Sequence, residues 1–148
     1  MMSQDETLLA TQPPRMGIVL IAHAPAATGL AALVAHVDAS WLTRFAVFDM
    51  TPEMTREQAA QSIAERVADR GWTQSLLLVD LVGAGPCQAA LLALEAIGQG
   101  CAAIVTGVNA PMLLSLVARP PFDDLQRAAR YALARGRRGV ACLGVDIG

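Results

Sequence analysis

The sequence predicts an α/β fold: a single-domain, doubly wound, mainly parallel sheet with helices on both faces. Three observations carry this expectation. The runs Gly17-Ile18-Val19-Leu20-Ile21-Ala22 and Leu76-Leu77-Leu78-Val79 have strand length and are apolar throughout, as strands covered on both faces must be. Between such runs lie stretches of helical length with recognisable start and stop signals. Strict alternation of strand and helix then implies right-handed crossovers and parallel neighbours.

In chain order, residues 1–15 have little periodicity and end in Pro13-Pro14-Arg15, so they read as a loose tail before a folded unit spanning 16–148. Residues 17–22 are the first strand, and the Ala-rich stretch 26–37 is a helix able to approach the sheet closely. Residues 44–49 form a second strand. The helix 55–70 carries the clearest signals: Thr55 and Gln58 make a capping box, Met54 and Ala59 a staple, and Gly71 a left-handed stop. Residues 76–80 are the third strand. Pro86 opens a helix that presents Leu91, Leu92, Leu94 and Ile97 before Gly98 and Gly100. Residues 101–106 are a fourth strand. The stretch 122–137 is a helix with Asp123 and Asp124 in its first turn, Leu125, Ala129, Ala132 and Leu133 buried, and Gly136 close to its end. Residues 139–146 are expected to form a fifth strand. Internal repeats and a Pro/Ala linker are lacking.

Apolar residues make up 54 % of the 148 and aromatics only 4 %, so the packing falls to Ala, Val, Leu and Ile. His23, Asp80 and the Gly/Pro turns keep every apolar run short of the ~20 residues a membrane span needs. The acidic opening Met1-Met2-Ser3-Gln4-Asp5-Glu6 is unlike a secretion signal. The expectation is a cytoplasmic protein without membrane insertion. Three cysteines without CxxC spacing suggest neither a disulfide framework nor a zinc site, and Cys87 reads as a small buried residue. A net charge of −2 argues against nucleic acid as a partner. Every basic residue is arginine, and Arg119, Arg127, Arg130, Arg135, Arg137 and Arg138 crowd toward the end. They read as the solvated side of the last helix, with its final three complementing the helix dipole, or as a contact for an acidic protein face.

The chemistry concentrates where two strands end. His23 closes the first apolar run and Asp80 the third strand, and each is followed by a small-residue turn. In doubly wound sheets, ligands bind beyond the carboxyl ends of the strands, where the winding reverses. Neutral imidazole is a usable nucleophile, and a carboxylate fixes its tautomer by accepting the other ring N–H. The turns Ala24-Pro25-Ala26 and Gly83-Ala84-Gly85-Pro86 aim helix N-termini, which attract anions, at the same crevice. Together these features point to phosphate. His36 reads as structural or surface. The spacing of Gly83-Ala84-Gly85 is wrong for a dinucleotide fingerprint, a chain without lysine has no P-loop, and no GxSxG or HExxH occurs. No cofactor and no metal are expected.

Four stretches together resemble the IIA component of the mannose/fructose/sorbose class of the bacterial phosphotransferase system. They are Gly17 to Ala24 with its histidine, Val79-Asp80-Leu81-Val82-Gly83-Ala84-Gly85-Pro86, Gly107-Val108-Asn109-Ala110-Pro111-Met112-Leu113, and Arg135-Gly136-Arg137-Arg138-Gly139-Val140. The third is the most specific. The resemblance covers roughly residues 16–139. It implies a phosphotransferase in which His23 takes a phosphoryl group from phospho-HPr and passes it to a histidine of a IIB protein. Asp80 would hydrogen-bond His23, Ala24, Gly83, Ala84 and Gly85 would form the phosphate and partner rim, and Asn109 would shape the crevice edge. It further implies a homodimer that exchanges its C-terminal strands, here 139–146. Gly85 stands where relatives usually carry Ser or Thr, and Val82, Cys87 and Gln88 replace what are often Phe, Ser and Asn, so the phosphate rim is thinned. Two alternatives stay open: a regulatory module controlling a partner protein, and the phosphocarrier subunit of a dihydroxyacetone kinase. No IIB domain or linker follows in the sequence.

Overall fold

The computed structural model describes residues 16–148; the tail expected over 1–15 lies outside them. The strands are β1 (Met16–His23), β2 (Phe45–Met50), β3 (Gln74–Val79) and β4 (Ala102–Thr106). The helices are α1 (Ala26–Val37), α2 (Arg56–Arg70), α3 (Gly85–Ile97), α4 (Ala110–Val117) and α5 (Leu125–Arg138). The four strands form one parallel sheet in the order β2-β1-β3-β4, so the fold is α/β as expected. The chain steps from β1 to β2 on one side, then crosses back to β3 on the other. Right-handed crossovers therefore put α1 on one face and α2 and α3 on the opposite face, with the reversal between β1 and β3.

The alternation of side chains along β1 explains its unbroken apolar run. Ile18, Leu20 and Ala22 join the core beneath α1, α4 and α5, while Val19 and Ile21 join the one beneath α2 and α3. In β3, Leu76 and Leu78 face the first core, and Leu77 and Val79 the second. Every one of these except Ile18 is completely buried, and each Val, Leu or Ile so placed stabilises by about 1.5–3 kcal/mol. Gly17 is fixed by close approach: a Cβ there would lie 1.8 Å from Cδ2 of the Trp72 indole.

The capping box at α2 forms as the sequence implies. The Gln58 N–H donates to Thr55 Oγ1 at 3.1 Å, the Thr55 N–H donates to Gln58 Oε1 at 3.0 Å, and Gly71 closes the helix at φ 66°. Three expectations need correction. First, alternation fails after β4, where α4 and α5 follow one another without a strand between. The α4 start was legible: Asn109 caps it, accepting the Met112 N–H at 2.9 Å, and Pro111 occupies the first turn. A 3₁₀ turn over Ala39–Arg44, capped by Asp38, was likewise unforeseen.

Second, α5 begins at Leu125, with Asp124 as its N-cap, and buries Leu125, Ala128, Ala132 and Gly136. Leu133, expected inside, is 38 % exposed, and Ala129 is half-buried. The buried stripe includes Gly136 because α5 presses there on α4, where a Cβ would meet Met112 Cε at 2.6 Å. Third, residues 139–146 form no strand. Val140, Leu143, Val145 and Ile147 lie 81, 90, 68 and 76 % exposed. A strand needs a partner ladder for its backbone groups, and none of the described strands pairs with this segment.

Candidate functional site: a histidine–aspartate pair at the switch point

The reversal of winding places the ends of β1 and β3 side by side, with Ile21 opposite Val79. The Asp80 N–H continues the ladder onto Ile21 O at 3.2 Å, and the Ala24 N–H donates to Met50 O at 3.0 Å on the other side. His23 and Asp80, 57 residues apart in the chain, meet directly there. Asp80 Oδ2 lies 2.7 Å from His23 Nδ1 and also accepts the His23 backbone N–H at 2.9 Å. The other oxygen, Oδ1, accepts the Leu81 N–H at 2.8 Å.

An ionised carboxylate only accepts hydrogen bonds, so in the neutral ring Nδ1 carries the proton and Nε2 keeps its lone pair. Burial alone would push the Asp80 carboxyl up. The His23 backbone N–H, the imidazole, the Leu81 N–H and the charge of His23 together outweigh it and hold the group below the usual carboxylate range. The side chain of His23 is 52 % exposed and that of Asp80 18 %: the orienting group is sheltered while the oriented ring meets solvent. Beside the ring opens a cleft of ≈ 410 Å³ lined by His23, Ala24, Met50, Thr51, Pro52, Met54, Gly85 and Pro86.

The remaining rim residues divide. Gly85 lines this cleft, whereas Gly83 and Ala84 belong to the adjoining turn, Gly83 at φ 77°. At the N-terminus of α3, Ala84 supplies no side-chain cap, and the amides of Gly85 and Cys87 have no intrahelical acceptor, Pro86 having none to offer. The Cys87 side chain is buried. The corresponding end of α1, expected as a second anion site, is already taken. Asp49 Oδ1 accepts the Ala27 N–H at 2.9 Å, the Thr28 N–H reaches Oδ2 at 3.3 Å, and the Thr28 hydroxyl donates to Oδ2 as well. Asp49 had an available signal, since the strand expected over 44–49, like those expected to lead to His23 and Asp80, runs up to an ionisable residue.

Asn109 uses both ends of its amide within the scaffold: Oδ1 caps α4, and Nδ2 donates to Gly136 O at 3.0 Å. It is not among the residues lining the cleft beside His23. His36 is exposed at the far end of α1. Among the described residues no group of three or more His, Cys, Asp or Glu side chains gathers in metal-binding fashion, and no helix is long and apolar enough to cross a membrane.

A parallel doubly wound sheet with a carboxylate-oriented imidazole at its switch point defines an α/β protein built around one half-exposed histidine ring. Residues 17–130 match the family described as PTS system fructose IIA component, and the chain belongs to that family of phosphotransferase-system IIA components. No curated protein sequence matches it. Among solved structures it is similar to the mannose/sorbose specific IIA subunit of the phosphotransferase system from Enterococcus faecalis. That similarity has a TM-score of 0.76 at 23 % identity, covering 91 % of this chain and 98 % of that one. The phosphotransferase system component EIIA from Streptococcus agalactiae gives 0.74 at 18 % identity, covering 86 % and 96 %. The PTS IIA protein associated with the fucose utilization operon of Streptococcus pneumoniae gives 0.64 at 21 %, covering 84 % and 93 %. At these identities the likeness concerns the fold.

Proposed function

We propose that this chain is a phosphoryl carrier of the phosphoenolpyruvate-dependent sugar phosphotransferase system, with His23 Nε2 as the acceptor atom. The observation that carries the reading is the 2.7 Å contact between His23 Nδ1 and Asp80 Oδ2, which in the neutral ring leaves the lone pair on the opposite nitrogen of a half-exposed side chain. In the transfer, the Nε2 lone pair attacks phosphorus of phospho-HPr. An N–P bond forms as the donor's N–P bond breaks, and the donor imidazole leaves with the electron pair. The ring gains positive character while keeping its Nδ1 proton, and the Asp80 carboxylate stabilises that charge. The free amides of Gly85 and Cys87 offer donors to phosphoryl oxygens. Discharge to a histidine of a IIB protein is the same reaction in reverse, so no separate acid or base is required. The expected setting is the cytoplasm.

The working unit in this reading is a homodimer. The apolar residues Leu143 and Val145, both exposed, alternate as on one face of a strand, and exchange of 139–146 onto a second copy would cover them. The decisive experiment combines the protein with phosphoenolpyruvate, enzyme I and HPr. An acid-labile gain of one phosphoryl group, absent from His23→Ala, is expected; no gain, or a gain that survives the substitution, defeats the proposal. A regulatory role is the second reading, favoured by Gly85, which gives the rim no hydroxyl for a phosphoryl oxygen. Phosphorylation that charges no IIB protein and restores no sugar uptake in a IIA-deficient strain would select it.

A further inference from the structure

Gln88 lies on the first turn of α3 and is exposed, yet both ends of its amide are engaged. Its Oε1 accepts from Arg56 Nη1 at 3.0 Å, and its Nε2 donates to Gly83 O at 3.3 Å. The arrangement is self-consistent, because a flipped amide would set NH₂ against a guanidinium and oxygen against a carbonyl. Arg56 opens α2, so the contact links two helices through one side chain and fixes which way that side chain faces.

The turn from Leu81 to Ala84 needs such a hold. Leu81 and Val82 are 58 and 78 % exposed, and Gly83 adopts a left-handed backbone. Among the described residues the turn has two side-chain hydrogen bonds: the Leu81 N–H on Asp80 Oδ1, and Gly83 O on Gln88 Nε2. They work on one object. If the Gly83 end swings free, the Leu81 N–H is drawn off Oδ1, and a carboxylate with one oxygen released can rotate. Oδ2 keeps the His23 backbone N–H, but rotation about that contact loosens its alignment with Nδ1, and the tautomer with its proton on Nε2, which has no lone pair to attack with, gains population.

We propose that Gln88, held by Arg56, is a positioning residue for the His23–Asp80 pair: it pins the 81–84 turn and so keeps the carboxylate aligned with the ring. The inference deepens the reading of His23 as phosphoryl acceptor and rests on it for its kinetic consequence. Its structural consequence is independent. The test is nitrogen-15 NMR of the imidazole in the wild type and in Gln88→Ala, Gln88→Glu and Gln88→Lys at neutral pH, with single-turnover phosphorylation from phospho-HPr alongside.

The wild type should show the Nδ1–H form. Gln88→Ala and Gln88→Glu, which have no donor for Gly83 O, should show a mixture and accept phosphate about tenfold more slowly. Gln88→Lys restores a donor for Gly83 O but no acceptor for Arg56, and should recover both readings in part. Wild-type tautomer and rate in Gln88→Ala and Gln88→Glu would overturn the proposal, as would a Gln88→Lys no better than Gln88→Ala. Should Gln88→Ala fold poorly by circular dichroism, the near-isosteric Gln88→Glu at this exposed position decides. A wild type that takes no phosphate at all would sink the carrier function, while the tautomer comparison would still decide the role of Gln88.

Discussion

Asp80 distributes its two oxygens over three N–H groups, two of them from His23, and this division governs what each substitution does. Asp80→Asn keeps the shape but introduces an NH₂ facing N–H donors, and it lets the amide favour the wrong ring tautomer. Phosphate acceptance by His23 should fall by about 10²-fold or more, while the circular dichroism spectrum stays that of the wild type. Acid stability is a second consequence. The folded carboxyl titrates below its ordinary 3.8, so its contribution is complete above that value and disappears as pH falls through the lowered one. Urea unfolding should therefore show Asp80→Asn less stable than wild type at neutral pH, with the gap closing in acid; a gap constant with pH would refute this. His23 and Asp80 were legible because an ionisable residue ending an apolar strand is conspicuous. Gln88 and Arg56 were not, since neither ends a strand and their contact spans 32 residues between two helices.

Among the elements, α1 is the one whose start depends on another part of the chain. Its N-cap, Pro25, makes no side-chain cap hydrogen bond, and Asp49 at the end of β2 takes that role from outside. Asp49→Ala leaves those amides without an acceptor and should cost about 1 kcal/mol, lowering Tm by about 2–4 °C for a chain of this size; differential scanning calorimetry measures it. An unchanged Tm would show the cap to be energetically idle. The local rules succeeded where the signal was local, as in the Thr55–Gln58 box and the Gly71 stop. They placed α1 over 26–37 but not its cap, which arrives from a neighbouring strand, and they misplaced the inward stripe of α5, displaced by the contact of Gly136 with α4. No pattern within a single helix encodes either partner.

At the scale of the whole molecule, four strands and their parallel pairing followed from two-faced apolar runs and alternation, because burial on both sides leaves so plain a mark. The stretch 139–146 showed where that reasoning stops. Its apolar residues give it the composition of a strand, but a ladder requires an edge to join, and composition does not say on which molecule the edge lies. If exchange between copies supplies it, removing residues 140–148 should convert a dimer to a monomer by light scattering, with the capacity of His23 for phosphate retained. A truncated protein that stays dimeric, or a full-length one that is monomeric at micromolar concentration, would count against exchange.

The 57-residue separation between the two members of the pair has one further consequence. A nascent or partly denatured molecule in which β3 has not yet docked on β1 carries the histidine with nothing to steer its proton. In the proposed carrier, competence thus arrives only with closure of the central sheet, and no separate inspection step is needed to keep unfinished molecules out of the transfer.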